Sequence, residues 1–315
     1  MSAGTHREPR PGWDAVPDGL RSALARRLGV DVSVATVMDS GFSVGFAGVI
    51  GRGPARVFVK AADAAHHEHS AELHRREAAV LSALPAGHAP GLLVTLEEGS
   101  WFLLATEYVD GRSPGAPWTQ AEHDAVVAEI RLLSGSAAPA TLPAAADVLP
   151  DAFVSWSALE DAGTSASGIP TALLPYVDLL RSWEGEATRR AAEGHSIVHF
   201  DIRGDNVVMD AAGRARLVDW PHAVRGSSWI DVVLFAPSVE ADGGPSVGAT
   251  LDRFADGRIP DEVVVLMAGW AGRLHHMASL PEPPELKGLR RFQARQAAPA
   301  VRWLASVLAG GRDLG

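Results

Sequence analysis

The eight residues His199-Phe200-Asp201-Ile202-Arg203-Gly204-Asp205-Asn206 constrain this chain more than any other stretch. Asn206 follows Asp201 by five positions, and a second aspartate, Asp219 in Leu217-Val218-Asp219-Trp220, follows Asn206 by thirteen. A fold must bring these oxygen-bearing side chains to one place, and the local pattern says how. Val207 to Met209 and Arg216 to Val218 read as short strands about the turn Asp210-Ala211-Ala212-Gly213. Asp201 then lies in a loop, and Asp219 closes the returning strand. An amide and a carboxylate suit magnesium, and a carboxylate upstream suits a proton acceptor. Together these are the parts that move a phosphoryl group from a nucleoside triphosphate to a hydroxyl. Arg203, two residues after Asp201, is placed to neutralise charge on the group in transit.

The first third of the chain is expected to be mostly β. Val32–Val37, Phe46–Ile50 and Arg56–Lys60 read as strands, separated by turns at Ser40–Gly45 and Gly51–Pro54. A short helix, Leu20–Leu28, precedes them with Leu20, Leu24 and Leu28 on one face. Glu72–Leu84 reads as a helix ended by Pro85, and Leu92–Leu96 and Trp101–Ala105 as two strands around Glu98-Gly99-Ser100. Beyond Gly111 the signal turns helical. Thr119 and Glu122 form a capping box that opens a helix to about Leu133. Residues 134–150 are rich in Ala and Pro and read as a loop, and Thr171–Ala192 reads as one long helix. Further helices are expected near Trp229–Phe235, Asp261–His276 and Leu289–Ala309. The expectation is an α+β chain with a disordered tail at 1–12, a small β-rich lobe at 13–108 and a larger, mostly helical lobe at 109–315.

Several residues outside the loop have a place in the same chemistry. Lys60 ends the third strand, where an ammonium reaches the α- and β-phosphates if a helix glutamate fixes it. Glu77 is the preferred partner and Glu72 the alternative. Gly41, Gly45 and Gly48 surround the first turn, where glycine lets backbone amides approach phosphate closely. Their spacing is not G-x-G-x-x-G, and a plain hairpin turn accounts for them as well. Thr106–Val109 would be a hinge, with the backbone of Glu107 and Val109 pairing with the nucleotide base. Asp231, at the start of an apolar helix, either braces the catalytic loop by accepting backbone N–H bonds or caps the helix.

Composition trims the remaining classes. A formal charge of −10 disfavours a nucleic-acid or anionic-membrane partner. There is no cysteine, hence no disulfide framework or thiolate site. No run of about 18 apolar residues is present, and residues 1–13 lack a signal-peptide core, so a cytoplasmic enzyme is expected. His66-His67-Glu68-His69 departs from H-E-x-x-H, since Ala71 stands where the second His would be needed, and reads as a solvated helix entry. Gly41-Phe42-Ser43-Val44-Gly45 matches G-x-S-x-G, but a serine hydrolase needs a helix after the serine and a strand is expected there. A pseudokinase would need a lost catalytic residue, and none is lost.

With Lys60, Glu77, Glu107–Val109, Asp201, Asn206 and Asp219 in order, the chain resembles the aminoglycoside phosphotransferase family, from about Val32 to Ser238. HFDIRGDN is similar to the family's H-G-D-x-x-x-x-N, and LVDW to its I-D-W. The resemblance implies a bilobal protein-kinase-like fold with ATP between the lobes, one or two Mg2+ ions, and a hydroxyl on a small molecule as acceptor. Family acceptors include aminoglycosides, other antibiotics and metabolites of the choline, homoserine or nucleoside kind. Phe200 replaces the usual glycine, and the irregular glycine turn leaves GTP open beside ATP. Asp231 follows Asp219 by only twelve positions, too few for a long activation segment, which favours a small acceptor over a protein. Asp151, Glu160, Asp161, Glu240 and Asp242 are candidate contacts for a cationic acceptor, or simply a solvated acidic face. The expected oligomeric state is monomer or homodimer.

Overall fold

A computed structural model describes residues 10–38, 44–148, 153, 155–161, 168–283 and 287–311. In chain order it begins with α1 (Asp18–Leu28), β1 (Ala35–Val37), β2 (Phe46–Ile50), β3 (Val57–Asp63), α2 (Ala64–Ala83), β4 (Leu92–Glu98) and β5 (Trp101–Glu107). There follow α3 (Gln120–Ser134), α4 (Ala145–Val148), α5 (Trp156–Asp161), α6 (Val177–Ala192), β6 (Ser196–Val198), β7 (Val207–Met209), β8 (Ala215–Leu217) and β9 (Val224–Gly226). The last elements are α7 (Ile230–Ala241), α8 (Val247–Ala255), α9 (Asp261–Ser279) and α10 (Leu289–Ala309). The fold is α+β. The chain divides into two compact units, one of Glu8–Ser113 with Asp205–His222, the other containing Pro114–Gly204 and Ala223–Gly315.

The first unit is built on an antiparallel sheet of order β1-β2-β3-β5-β4. Successive side chains of a strand point to opposite faces, and the buried residues follow that rule. Val57, Val59 and Ala61 of β3 join Trp13, Leu20, Leu24, Phe46, Ile50 and Leu103 in one core. The intervening residues of β3 therefore face the other way, where Phe102 and Leu104 of β5 pack with Ala78 of α2. Lys60 is one of them, so strand periodicity alone aims it at the α2 side. The hairpin β7–β8 belongs to the same unit, with Val207 opposite Leu217 and Met209 opposite Ala215.

Several expected boundaries differ, three of them for a local reason. The first strand starts at Ala35 rather than Val32, because Asp31 captures the chain: its carboxylate accepts from Ser33 N at 3.0 Å and from Ser33 Oγ at 2.6 Å. That aspartate turn uses up residues 32–34. Helix α2 starts at Ala64 rather than Glu72, capped by Asp63, whose side chain accepts from Ala65 N at 3.0 Å. His67 breaks the helical geometry within it (φ −139°, ψ 57°), and the His66–His69 run lies exposed on its opening turns. The segment Thr171–Ala192 is two pieces. Thr171–Tyr176 is 3-10 helix containing Pro175, and the α-helix begins only at Val177. Among the described residues 135–148 stands one short helix, α4, and α5 and α8 lie outside every expected element.

The second unit is helical, with α9 against α6, α7 and α10. Two glycines of α9 permit close approach. A Cβ on Gly269 would lie 2.8 Å from Phe153 Cβ, and one on Gly272 would lie 2.7 Å from Trp156 Nε1. The Trp156 ring sits in that notch and donates to Ala268 O at 2.9 Å. The Thr119–Glu122 capping box is present at α3, as expected. Among the described residues no helix is long and apolar enough to cross a membrane.

Candidate active site

In the sheet unit, Lys60 is only 8% exposed, and its Nζ donates to Glu77 Oε2 at 2.6 Å and to Asp219 Oδ1 at 2.7 Å. Glu77 projects from α2 onto the face to which Lys60 is aimed, and its Oε1 accepts from Trp220 N at 3.3 Å. One carboxylate thus ties the strand lysine to the LVDW segment. Asp219 itself stands at φ +68°, a left-handed conformation that aspartate tolerates better than most residues. Burial opposes the Lys60 charge, but Asp219 and Glu77 outweigh it and the pKa is raised. Burial also pushes Glu77 upward, against the Lys60 charge, with Asp219 pushing the same way. The lysine is charged, and it faces two carboxylates.

These residues line a cavity of about 310 Å3 that lies wholly within the sheet unit. Ala47, Phe58, Leu81, Val208 and Val218 supply apolar wall, and Asn206 and Asp219 lie in the same wall as Lys60. Asn206 is buried, and its backbone carbonyl accepts from Val218 N at 3.0 Å, which fixes the two motif segments side by side. Glu107 and Val109 line the cavity too. The Glu107 N–H is engaged by Gly91 O at 2.9 Å, and its carbonyl accepts from Thr106 Oγ1 at 3.2 Å, which leaves that oxygen one lone pair for a base. Gly45 has φ +117°, and a Cβ there would sit 2.5 Å from Ala61 O, so the turn needs glycine. Gly41, with Phe42 and Ser43, lies outside the described residues. After Gly45 the chain enters β2, not the helix that a nucleophile elbow requires.

In the helical unit, Asp231 is 3% exposed and accepts from His199 N and Phe200 N, both at 2.8 Å. It makes no cap to its own helix, so of the two readings it is the brace of the loop. Burial pushes its carboxyl up to about 6, against the two N–H bonds. Phe200 has φ +70°, a conformation for which glycine is the natural residue, and its ring meets Trp270 edge-on at 6.4 Å. Asp201 N donates to His199 Nδ1 at 3.3 Å, and Arg203 Nη1 donates to Asp201 Oδ1 at 2.8 Å. The guanidinium also lies over Phe292, 5.5 Å from the ring centroid. Arg203 therefore orients the carboxylate beside it.

The acidic candidates have local work. Glu240 accepts from Val247 N and from Arg302, each at 2.7 Å, and Asp242 accepts from Arg295 at 2.8 Å. Asp151 and the side chains of Glu160 and Asp161 lie outside the described residues. The structure also adds cavity residues to which the sequence reading assigned no role: Arg10, Arg112 and Trp220. Only Trp220, within LVDW, carried any signal.

A model of the phosphotransferase enzyme family matches residues 36–264. A comparison with curated proteins finds no match. Among solved structures, a thermostable mutant of aminoglycoside phosphotransferase APH(4)-Ia, in a ternary complex with AMP-PNP and hygromycin B, aligns with TM-score 0.60 and 16% identity. It covers 92% of this chain and 99% of its own. Spectinomycin phosphotransferase APH(9)-Ia, in complex with ADP and spectinomycin, aligns with TM-score 0.58 and 10% identity over 91% of this chain and 96% of its own. A choline kinase from Cryptosporidium parvum Iowa II aligns with TM-score 0.56 and 11% identity over 93% and 97%. At these identities the likeness is one of fold.

Proposed function

Since the chain belongs to the phosphotransferase enzyme family, we propose that it transfers the γ-phosphoryl group of ATP to a hydroxyl of a small molecule. The observation that carries this reading is the Lys60 ammonium held at 2.6 and 2.7 Å by Glu77 and Asp219 in a cavity also lined by Asn206, Glu107 and Val109. An ammonium fixed in this way is ready to grip phosphate oxygens without reorganising. The base would lie against the apolar wall, with the Glu107 carbonyl as an acceptor for an adenine amino group.

Asn206 and Asp219 would hold magnesium, since an amide oxygen and a carboxylate are hard donors. Among the described residues no three His, Cys, Asp or Glu side chains gather as a metal site. That agrees with an ion carried largely by phosphates and water. When bound, magnesium would offset the negative charge of the phosphates. Asp201 would orient the acceptor and take its hydroxyl proton as the new O–P bond forms and ADP departs. Arg203 would keep that carboxylate in position, and Asp231 would hold the loop that carries it.

Spectinomycin and hygromycin B, bound in two of the similar structures, and choline, for which a third is named, pair a hydroxyl with a cationic nitrogen. Amine-bearing alcohols are therefore the first compounds to offer. The test is ATP consumption over aminoglycosides, choline, homoserine and nucleosides, with mass spectrometry of the product. Asp201→Asn should lower turnover by about 10²–10⁴-fold, the usual worth of a positioned base. Its AMP-PNP affinity should stay within about threefold of wild type, under 1 kcal/mol. Near-normal turnover in that variant would remove Asp201 from the role of base.

A further inference from the structure

The cavity around Lys60 is short of positive charge for the ligand proposed above. One ammonium there already faces two carboxylates before any phosphate arrives. Two further cations line the cavity, Arg10 and Arg112. Arg112 follows the hinge, where its backbone pairs with Met209. Arg10 is at the other end. Its Nη1 donates to Gly45 O at 3.1 Å, and Gly45 immediately precedes Phe46, which pairs with Ala61, the neighbour of Lys60.

The position of Arg10 is built. Three residues on, Trp13 is buried, donates through Nε1 to Val32 O at 2.9 Å, and packs on Phe46 with ring centroids 4.9 Å apart. The residue before Gly45 is fixed as well, because Val44 N donates to Ser70 Oγ of α2 at 3.0 Å. One helical turn beyond Ser70 lies His74, 2% exposed, with no hydrogen-bond partner for either ring nitrogen among the described residues. Burial holds that imidazole down to about 3, Lys60 adding to the effect, Asp219 opposing it and Arg10 adding further. The field of Arg10 thus reaches the same interior spot as that of Lys60, and the imidazole between these charges stays neutral.

We propose that Arg10 is a phosphate ligand of the nucleotide, a second cation that the segment ahead of the sheet brings to the Lys60 end of the cavity. The inference rests on the reading of this cavity as an ATP site. A guanidinium carries five N–H donors, enough to hold the turn carbonyl and a phosphate oxygen at once, and its planar fork matches phosphate geometry. Arg10 would add a positive charge at the Lys60 end while the base end stays as it is, so its worth should grow with the number of phosphates.

Titration of wild type, Arg10→Gln and Arg10→Lys with adenosine, ADP and AMP-PNP in the presence of Mg2+ tests this. Glutamine keeps a donor for the Gly45 carbonyl and removes the charge. Arg10→Gln should bind AMP-PNP and ADP roughly ten- to a hundredfold more weakly, the scale of a lost charge-assisted hydrogen bond. Adenosine affinity should change by less than about twofold, and Arg10→Lys should fall between wild type and Arg10→Gln. Equal losses for all three ligands would mean that Arg10 only supports the turn, and no loss for any would mean that it touches no phosphate; either result overturns the proposal. Failure of wild type itself to bind AMP-PNP would instead overturn the nucleotide reading, and the proposal with it.

Discussion

Replacing Phe200 by alanine and, separately, by glycine measures what the loop pays for its backbone. Phe200 stands at φ +70°, where an L side chain costs about 1–2 kcal/mol because Cβ crowds the following carbonyl. Alanine keeps that cost; glycine escapes it. Glycine pays instead about 0.4–1 kcal/mol through a freer unfolded chain. Both variants lose the edge-on contact with Trp270, about 0.5–1.5 kcal/mol for an aromatic pair, so that loss cancels between them. The difference should leave Phe200→Gly more stable than Phe200→Ala by up to about 1.6 kcal/mol, with a midpoint of about 0.8 kcal/mol. At an ordinary position the order is reversed. Urea denaturation of the two variants, fitted with a shared slope, gives the difference from their midpoints. If alanine is as stable as glycine or more so, the strained conformation is not what residue 200 adopts, and the reason offered for the family's glycine at this place fails.

Two further outcomes follow from the buried charges. Lys60→Met should cost about 3–5 kcal/mol, because it leaves Glu77 and Asp219 without their cation. The double variant Lys60→Met/Glu77→Gln should be less destabilised in thermal and urea denaturation than the two single losses added together, and strict additivity would mean that the pair is not coupled. Asp231 binds its proton more tightly folded, about 6, than unfolded, 3.8. Its contribution to stability is therefore full below about pH 4 and is lost as pH rises through 6, an amount of about 3 kcal/mol. The unfolding free energy of wild type minus that of Asp231→Asn, which cannot titrate there, should fall by about that much between pH 4 and pH 7. A flat difference would show that burial does not perturb this carboxyl.

The parts legible in the sequence are those governed by near neighbours. The β7–β8 hairpin could be read because Asp210 and Gly213 are turn residues between two short apolar runs, and Asp210 does accept from Ala212 N and Arg214 N at 2.9 Å. The α3 cap could be read because Thr119 and Glu122 satisfy each other across one helical turn. Asp31 was legible in principle, since an aspartate two residues before a serine competes with a strand for the backbone, but the run of valines around it carried the stronger signal. The Lys60–Asp219 pair joins residues 159 apart, and no periodicity specifies such a contact. Spacing nominated both residues separately, and only the packing of the β7–β8 hairpin with the sheet brings them to 2.7 Å. Arg10 is harder still, because its address is set by where Trp13 finds a core, not by anything within the first dozen residues.

Backbone strain supplies an independent argument for the two motif segments. Among the described residues three that are not glycine have positive φ: Phe200, Asp219 and Asp256. Asp256 has an ordinary reason, since it is the left-handed C-cap of α8. The other two cap no helix, and each pays on the order of 1–2 kcal/mol for its conformation. Each is also held in place by a buried charge: Phe200 by its N–H on Asp231, and Asp219 by the Lys60 ammonium on its carboxylate. Strain persists only where surrounding contacts over-determine it, and such places concentrate at sites that act on ligands. The loop bearing Asp201 and the segment bearing Asp219 are thus singled out twice, once by the spacing of their oxygen donors and once by a conformational cost that packing alone gives no reason to accept.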